Sequence, residues 1–216
     1  IEGFNDEAPL NGERNKCICL EFLNNSEALC LFGTSNMDSF DDALEFRFKA
    51  DDTWATAHED DKAAVKRLWE WIQSCKGNPM KFLNEYQDYF GNDSPFAWYL
   101  ITDYLMAVDN RAKNMMLATW DGLHWYFLPY DMDTIFGERN DSVLKYDYTI
   151  TWETMDESIG SYAFAGHDSV LWELVRGCPD KLREVADKLR STMSLEYVLK
   201  VFNEEQMGNW CERIYN

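Results

Sequence analysis

Apolar and polar residues alternate near the start of the chain, which predicts β-strands there. The segments KCICLEFL and EALCLFG flank a turn of two asparagines, so residues 16–33 are predicted to form a hairpin. A third, half-buried strand is predicted for ALEFRFKA, residues 43–50, in which charged and apolar positions alternate. Residues 38–61 hold nine Asp or Glu against two Lys or Arg, which is typical of a solvated loop and sheet edge.

The spacing of apolar residues then changes to that of helices. Apolar positions three and four residues apart predict a helix around residues 65–72. The dipeptides Asn-Pro at 78–79 and Ser-Pro at 94–95 each combine a capping residue with a proline, so each is expected to begin a helix. The second of these helices is apolar on nearly all sides and reaches Val108, which predicts the central buried helix.

The segment MMLATWDGLHWYFLPY predicts a strand, an Asp-Gly turn and a second strand. Residues 138–167 lack periodicity and are expected to form a long loop. Four more helices are predicted after it, from DSVLWELVRG, PDKLREVADKLRST, SLEYVLKVF and EEQMGNWCERIY. We therefore expect an α+β fold in one continuous unit, a fragment of a longer chain: a strand-rich part over residues 1–55, then a mainly helical part over residues 56–216 that contains the hairpin.

Composition narrows the range of partners. The chain of 216 residues is 46% hydrophobic and 15% aromatic, which is enough for a sizeable core. Its net charge of −19 argues against nucleic acid or an anionic membrane as a partner. A nucleotide remains compatible with this charge, because a metal ion can bridge phosphates and carboxylates. No apolar run is long enough for a transmembrane helix, and no leader segment is visible at Ile1.

Six cysteines are present, at positions 17, 19, 30, 75, 178 and 211. A chain with this much apolar material does not need disulfides to fold, so reduced and buried thiols are expected. No histidine lies near the three cysteines of the first strands, which disfavours a zinc site.

Acidic and amide side chains flank the predicted hairpin on both sides. The segment VDNRAKN, with Asp109 and Asn114, precedes it, and YDMD, with Asp131 and Asp133, follows it. Because a hairpin returns the chain to where it began, these four side chains are expected to converge. Clustered carboxylates are driven toward protonation unless a cation is present, and oxygen ligands suit a hard cation. Asp131 is the stronger candidate ligand, since Asp133 alternates away from it in an extended strand.

The order of buried helix, loop, hairpin and aspartate is that of the phosphoryl-transfer site of protein kinases. In that site an aspartate orients the substrate hydroxyl, an asparagine five residues later binds metal, and an aspartate after a hairpin binds metal. Asp109 and Asn114 are five residues apart, and Lys113 between them is a candidate to offset charge on the transferred group. The sequence shows no Gly-rich phosphate loop, and only Lys16 and Lys49 are candidates for a phosphate-anchoring lysine.

The segment YLITDYLMAVDNRAKNMMLATWDGLHWYFLPYDMDTIFG resembles the spore coat protein H (CotH) kinase family, an atypical protein-kinase-like group. LEFRF upstream and the helices downstream extend the resemblance over roughly residues 16–215. It implies a kinase-like fold with a partial N-terminal β-lobe and a mainly helical C-lobe, and Mg²⁺ and ATP as cofactors. It also implies site roles: catalytic aspartate for Asp109, metal-supporting amide for Asn114, principal Mg²⁺ ligand for Asp131 and possible second ligand for Asp133.

Three functions from different classes are consistent with these features. The first is Mg²⁺- and ATP-dependent phosphoryl transfer to a protein hydroxyl. The second is a non-catalytic kinase-like module whose partners are neighbouring subunits of an assembly such as a phage virion; a virion, cell-surface or spore-coat location would fit either. The third is an Asp-x-Asp sugar-nucleotide transferase, which is disfavoured because no βαβ pattern is present.

Overall fold

In the computed structural model, the described residues are 16–22, 44–47, 52–105, 107, 110, 114–132, 135 and 169–200. They form an α+β fold with five strands, β1 (Ile18–Phe22), β2 (Leu44–Phe46), β3 (Asp52–Thr53), β4 (Met115–Thr119) and β5 (Trp125–Pro129). The helices are α1 (Glu59–Cys75), α2 (Pro79–Glu85), α3 (Ser94–Tyr104), α4 (Val170–Arg176), α5 (Pro179–Thr192) and α6 (Leu195–Lys200). A 3₁₀ turn (Tyr86–Asp88) follows α2.

The strands form one antiparallel sheet in the order β3-β2-β1-β4-β5. Strands β4 and β5 form the predicted hairpin around the Asp-Gly turn, with Thr119 opposite Trp125 at the turn and Met115 opposite Pro129 at the open end. Strand β1 pairs with both β2 and β4, so strands from the two predicted parts of the chain share one sheet. The second strand of the hairpin predicted for residues 16–33 lies outside the described residues.

One face of the sheet packs against the helices and forms the main core. Its largest fully buried side chains include Phe22, Phe46 and Trp125, one from each of three strands. Helix α1 begins after His58, whose side chain accepts a hydrogen bond from the Asp60 amide, and its buried residues recur at helical spacing. Helix α2 begins after Asn78, whose side-chain oxygen caps it as predicted.

Helix α3 is shorter and less buried than its sequence suggests. It ends at Tyr104, whereas the apolar pattern predicted helix as far as Val108. Phe96 and Trp98 are buried, but Asp103 is exposed and Tyr104 is 84% exposed. The predicted central helix is therefore shorter than expected and is buried on one side. Strand β5 and helices α4 and α5 cover one side of α3, and its remaining apolar residues stay partly in contact with solvent.

An ion-pair network attaches the beginning of α3 to α5. Asp93 accepts hydrogen bonds from the Tyr86 hydroxyl and from the Nζ atoms of Lys181 and Lys188, at 2.7, 3.0 and 2.8 Å. Burial acts to raise the pKa of Asp93, but these hydrogen bonds outweigh it and lower the pKa to about 2. Three of the four predicted C-terminal helices are confirmed, while the fourth and the predicted loop at 138–167 lie outside the described residues.

Cys17, Cys19, Cys75 and Cys178 are buried thiols that form no disulfide, as expected. Burial, with a smaller contribution from Glu21, raises the pKa of Cys19 to about 11. The other two cysteines lie outside the described residues. Within the ranges described, no helix is long and apolar enough to cross a membrane.

Candidate functional site

The open end of the β4–β5 hairpin brings together two of the predicted site residues. Asn114 directly precedes β4, and Tyr130 and Asp131 directly follow β5. Met115 and Pro129 are cross-strand partners, so the chain enters and leaves the hairpin at the same place. Asn114 and Asp131 both have left-handed backbones, with φ of 50° and 48°. Asparagine and aspartate tolerate this conformation better than other non-glycine residues, because their short polar side chains can bond locally.

Asn110 connects the two sides of this open end. Its side-chain amide nitrogen donates one hydrogen bond to the Asn114 carbonyl and another, of 3.0 Å, to the Tyr130 carbonyl. Asn110 is fully buried, at 0% exposure. Within the part of the chain that the structure describes, its Oδ1 accepts no hydrogen bond. A single buried amide therefore holds the residue before β4 and the residues after β5 in one cluster.

The same asparagine is attached to helix α3. Its carbonyl accepts a 2.8 Å hydrogen bond from Nε1 of Trp98, a buried residue of α3. Its amide donates to the Ala107 carbonyl at 3.3 Å, and the Ala107 amide donates to the Thr102 carbonyl at 2.9 Å. The loop after α3 is thereby fixed to the helix on one side and to the hairpin on the other.

The Asp131 carboxylate is available to a ligand. Asp131 is exposed, and among the described residues it takes part in no hydrogen bond or ion pair. Asn114, which is half-buried, carries an amide side chain and lies at the same end of the hairpin. Carboxylate and amide oxygens are the donors that Mg²⁺ and Ca²⁺ prefer, so this donor set fits a hard divalent cation.

Asp109, Lys113 and Asp133 lie outside the described residues, and their predicted roles stay predictions. Among the described residues, no group of three or more His, Cys, Asp or Glu residues could hold a metal ion. The structure thus assembles Asn114 and Asp131 from the predicted set, with Asn110 as the buried contact between them.

A second cluster that the sequence pattern did not single out lies on the sheet face opposite the main core. Arg47, directly after β2, is paired through Nε with Glu21 of β1 and through Nη1 with Glu45, at 3.2 Å in the latter case. The hydrogen bond that Arg47 donates to Glu21 is the main reason that the pKa of Arg47 is raised. Glu21 pairs with Met116, the second residue of β4, so the carboxylate that holds Arg47 lies near the open end of the hairpin. The alternation of ALEFRFKA indicated the face, but not the partner.

Lys16, one of two candidates for a phosphate-anchoring lysine, lies at the wrong end of the hairpin. A Cβ atom added to Gly122 in the hairpin turn would lie 3.9 Å from Cβ of Lys16. The pairing of Ile18 with Thr119 puts the beginning of β1 beside the turn, whereas Glu21 pairs with Met116 near the open end. The antiparallel register separates Lys16 from Asp131 by the length of the hairpin. The other candidate, Lys49, lies outside the described residues.

Comparison with known proteins supports the interpretation of this region. The family model described as CotH kinase protein matches residues 20–215, a range that includes part of β1, the other four strands, the open end of the hairpin and helices α4 to α6. Neither the curated proteins nor the solved structures gave a match. Because the family match spans nearly all of the sequence, the chain belongs to the CotH kinase protein family.

Proposed function

We propose that the chain is a kinase-like domain that transfers a phosphoryl group from Mg²⁺-bound ATP to a hydroxyl group of a protein. Membership of the CotH kinase protein family supports a kinase-like fold. The observation that carries the proposal is the meeting of Asn114 and Asp131 at one end of a hairpin, joined through Asn110 to the preceding helix. Helix, loop, hairpin and aspartate occur in this order in kinase sites.

In this proposal Asp131 and Asn114 hold Mg²⁺. The bound ion would supply positive charge that binds and orients the phosphates. Asp131 suits this role because no ion pair in the described chain competes for its carboxylate. Asp109 would orient the acceptor hydroxyl, and Lys113 would offset the charge of the transferred group. Asp133 is a candidate second ligand.

We assign the phosphate-contacting cation to Arg47. Its side chain is 32% exposed and is held by Glu21, whose own side chain is only 11% exposed. A strand cation paired with a glutamate is a recurring part of kinase sites, and arginine contacts phosphate with a rigid fork of donors. Glu21, which holds Arg47, lies opposite Met116 near the open end of the hairpin, the end that carries Asn114 and Asp131.

Transfer of radiolabel from γ-³²P-ATP tests the proposal. The full-length protein is incubated with Mg²⁺ and a generic acceptor such as casein, and label is measured on both proteins. Wild type is expected to transfer label, and Asp131→Ala to fall at least about 100-fold, because a metal ligand contributes several kcal/mol to transition-state stabilisation.

Asp187→Ala is the matched control, since Asp187 is an exposed carboxylate of α5 that pairs only with Arg190 in the described chain. It is expected to transfer label at the wild-type rate. Equal transfer by wild type and Asp131→Ala would contradict the proposal. No transfer by wild type, together with no effect of Mg²⁺-ATP on its melting temperature, would favour a non-catalytic module within an assembly.

The sugar-nucleotide alternative has less support from the fold. In the described sheet, all neighbouring strands are antiparallel. The α/β folds that bind nucleotides of this kind instead use parallel strands joined by helices. A melting-temperature screen with ATP and UDP-sugars separates the two, because only a ligand of the native state raises the melting temperature.

A further inference from the structure

We propose that Asn110 is a positioning residue that sets the separation and orientation of Asn114 and Asp131. This inference rests on the proposed function, in which those two residues hold the metal. Asn110 itself is fully buried and therefore acts through the backbone of its neighbours.

The hydrogen-bond pattern of Asn110 supports this role. Both protons of one planar amide group are used, one on the Asn114 carbonyl and one on the Tyr130 carbonyl. The first carbonyl belongs to a proposed ligand, and the second belongs to the residue joined directly to the other ligand, Asp131. Because one nitrogen donates both hydrogen bonds, a movement of either hairpin end away from the other breaks at least one of them.

The backbone conformations at the site require such a restraint. Asn114 and Asp131 are two of the three non-glycine residues with positive φ among the described residues. Left-handed backbone is unfavourable for residues with a Cβ atom and persists only where the surroundings enforce it. The third such residue, Asn92, is exposed and lies far along the chain from the hairpin ends. At the hairpin, two unfavourable conformations flank one buried amide.

The orientation of the Asn110 amide leaves its oxygen, Oδ1, without a hydrogen-bond donor among the described residues. Donation by the nitrogen to two carbonyls fixes the orientation of the side chain, so Oδ1 points the other way. In the described part of the chain Oδ1 has no donor, although it is completely buried. An unsatisfied buried acceptor lowers stability, so its presence in a native fold calls for a structural or functional reason. The two donated bonds therefore matter more to this fold than the satisfaction of Oδ1.

Replacement by aspartate tests the role with little change of shape. Asn110→Asp keeps the size of the side chain but presents oxygen to two carbonyl oxygens, so both bonds are lost. Loss of a group that orients metal ligands typically weakens metal binding about 10- to 100-fold. We expect Mg²⁺-ATP to bind Asn110→Asp at least about tenfold more weakly by isothermal titration calorimetry, with the Mg²⁺-dependent part of binding removed by EDTA in wild type.

Two variants control for charge and for stability. Asn92→Asp makes the same change in charge at a left-handed, exposed asparagine and is expected to bind like wild type. Val185→Ala removes buried apolar volume from α5 and lowers stability at a site remote from the Asn110 loop. Amide hydrogen exchange without ligand is expected to accelerate in Asn110→Asp at Met116 and Leu128, the cross-strand pair next to the open end of the hairpin, but not in Val185→Ala.

Each outcome has one meaning. If Asn110→Asp is folded by circular dichroism and binds Mg²⁺-ATP like wild type, the positioning role is wrong and the proposed function stands. If wild type does not bind Mg²⁺-ATP, the proposed function is wrong, and the positioning role falls with it. If Asn110→Asp does not fold, Asn110→Ser, which retains one donor, is expected to bind with intermediate affinity. Wild-type affinity of that variant overturns the inference.

Discussion

The two ends of the β4–β5 hairpin each carry an aspartate, and the two carboxylates differ in how many hydrogen bonds they accept. Asp121 lies in the turn, and Asp131 lies just beyond the open end. The Asp121 side chain is 40% exposed, and Asp131 is also in contact with solvent, so burial does not separate them. The difference is in their hydrogen bonds.

Both carboxylate oxygens of Asp121 have hydrogen-bond partners within the turn. Its Oδ1 accepts from the amides of Leu123 and His124, both at 2.8 Å, and from the Thr119 hydroxyl at 3.1 Å. Its Oδ2 lies 2.6 Å from Nδ1 of His124. Burial acts to raise the pKa of Asp121, but these bonds outweigh it and lower the pKa to about 2. Such a carboxylate stabilises the fold and has little capacity left for a ligand.

Asp131 is held by its backbone and not by its side chain. Asn110 binds the carbonyl of Tyr130, the residue before it, while the Asp131 carboxylate is without a partner in the described chain. The comparison shows that an aspartate next to a turn has a structural role when groups of the turn donate hydrogen bonds to both of its carboxylate oxygens. It is a candidate ligand when the fold fixes the backbone and leaves the oxygens free.

The largest expected difference between the two ends is in ligand-dependent stabilisation. Mg²⁺-ATP at about 100 times its dissociation constant adds about 2.7 kcal/mol to native stability, which for a domain of this size raises the melting temperature by about 5–10 °C. We expect Asp131→Ala to lose this shift. Asp121→Ala is expected to melt lower without ligand and yet to keep the shift. Loss of the shift in Asp121→Ala alone would reverse the assignment of the two ends.

The smaller expected difference is in pH-dependent stability. Asp121→Asn is expected to lower the free energy of unfolding by about 1 kcal/mol near pH 7, a modest loss because solvent screens a side chain that is 40% exposed. A lowered pKa stabilises above the ordinary value of 3.8, and this contribution disappears as the pH falls toward 2. Urea unfolding of wild type and Asp121→Asn should therefore give values that converge between pH 4 and pH 2. A constant difference would contradict the assigned pKa.

The sequence predicted the local elements of the fold well. The hairpin around Asp121-Gly122 and the helix capped by Asn78 follow from turn and capping chemistry, which acts over a few residues. The helix predicted from Ser94-Pro95 does begin at Ser94, but Ser94 does not cap it: its Oγ accepts a hydrogen bond from the Phe127 amide. The order of strands could not be predicted in the same way. The position of β1 between β2 and β4 depends on pairing between residues about 100 positions apart, which no local pattern records.

The position of the candidate site could be predicted from the sequence, but the residues that hold it in place could not. Residue spacing placed Asn114 and Asp131 at one end of the hairpin, because a hairpin returns the chain. Asn110 was not identified, since an asparagine after an aspartate in a loop has the composition of an ordinary turn. Arg47 was missed because its importance comes from Glu21 on a neighbouring strand, and the alternating pattern shows only which face it occupies.

One measurement tests the central claim most directly: paramagnetic broadening of amide signals by Mn²⁺, used in place of Mg²⁺ with ATP, in ¹⁵N-labelled protein. The amides of Asn114 and Asp131 are expected to broaden at the lowest Mn²⁺ concentration, while those of Leu123 and His124, at the far end of strands about 17 Å long, broaden later. Earlier broadening at the turn, or equal broadening at both ends, would contradict the assignment of the open end as the metal site.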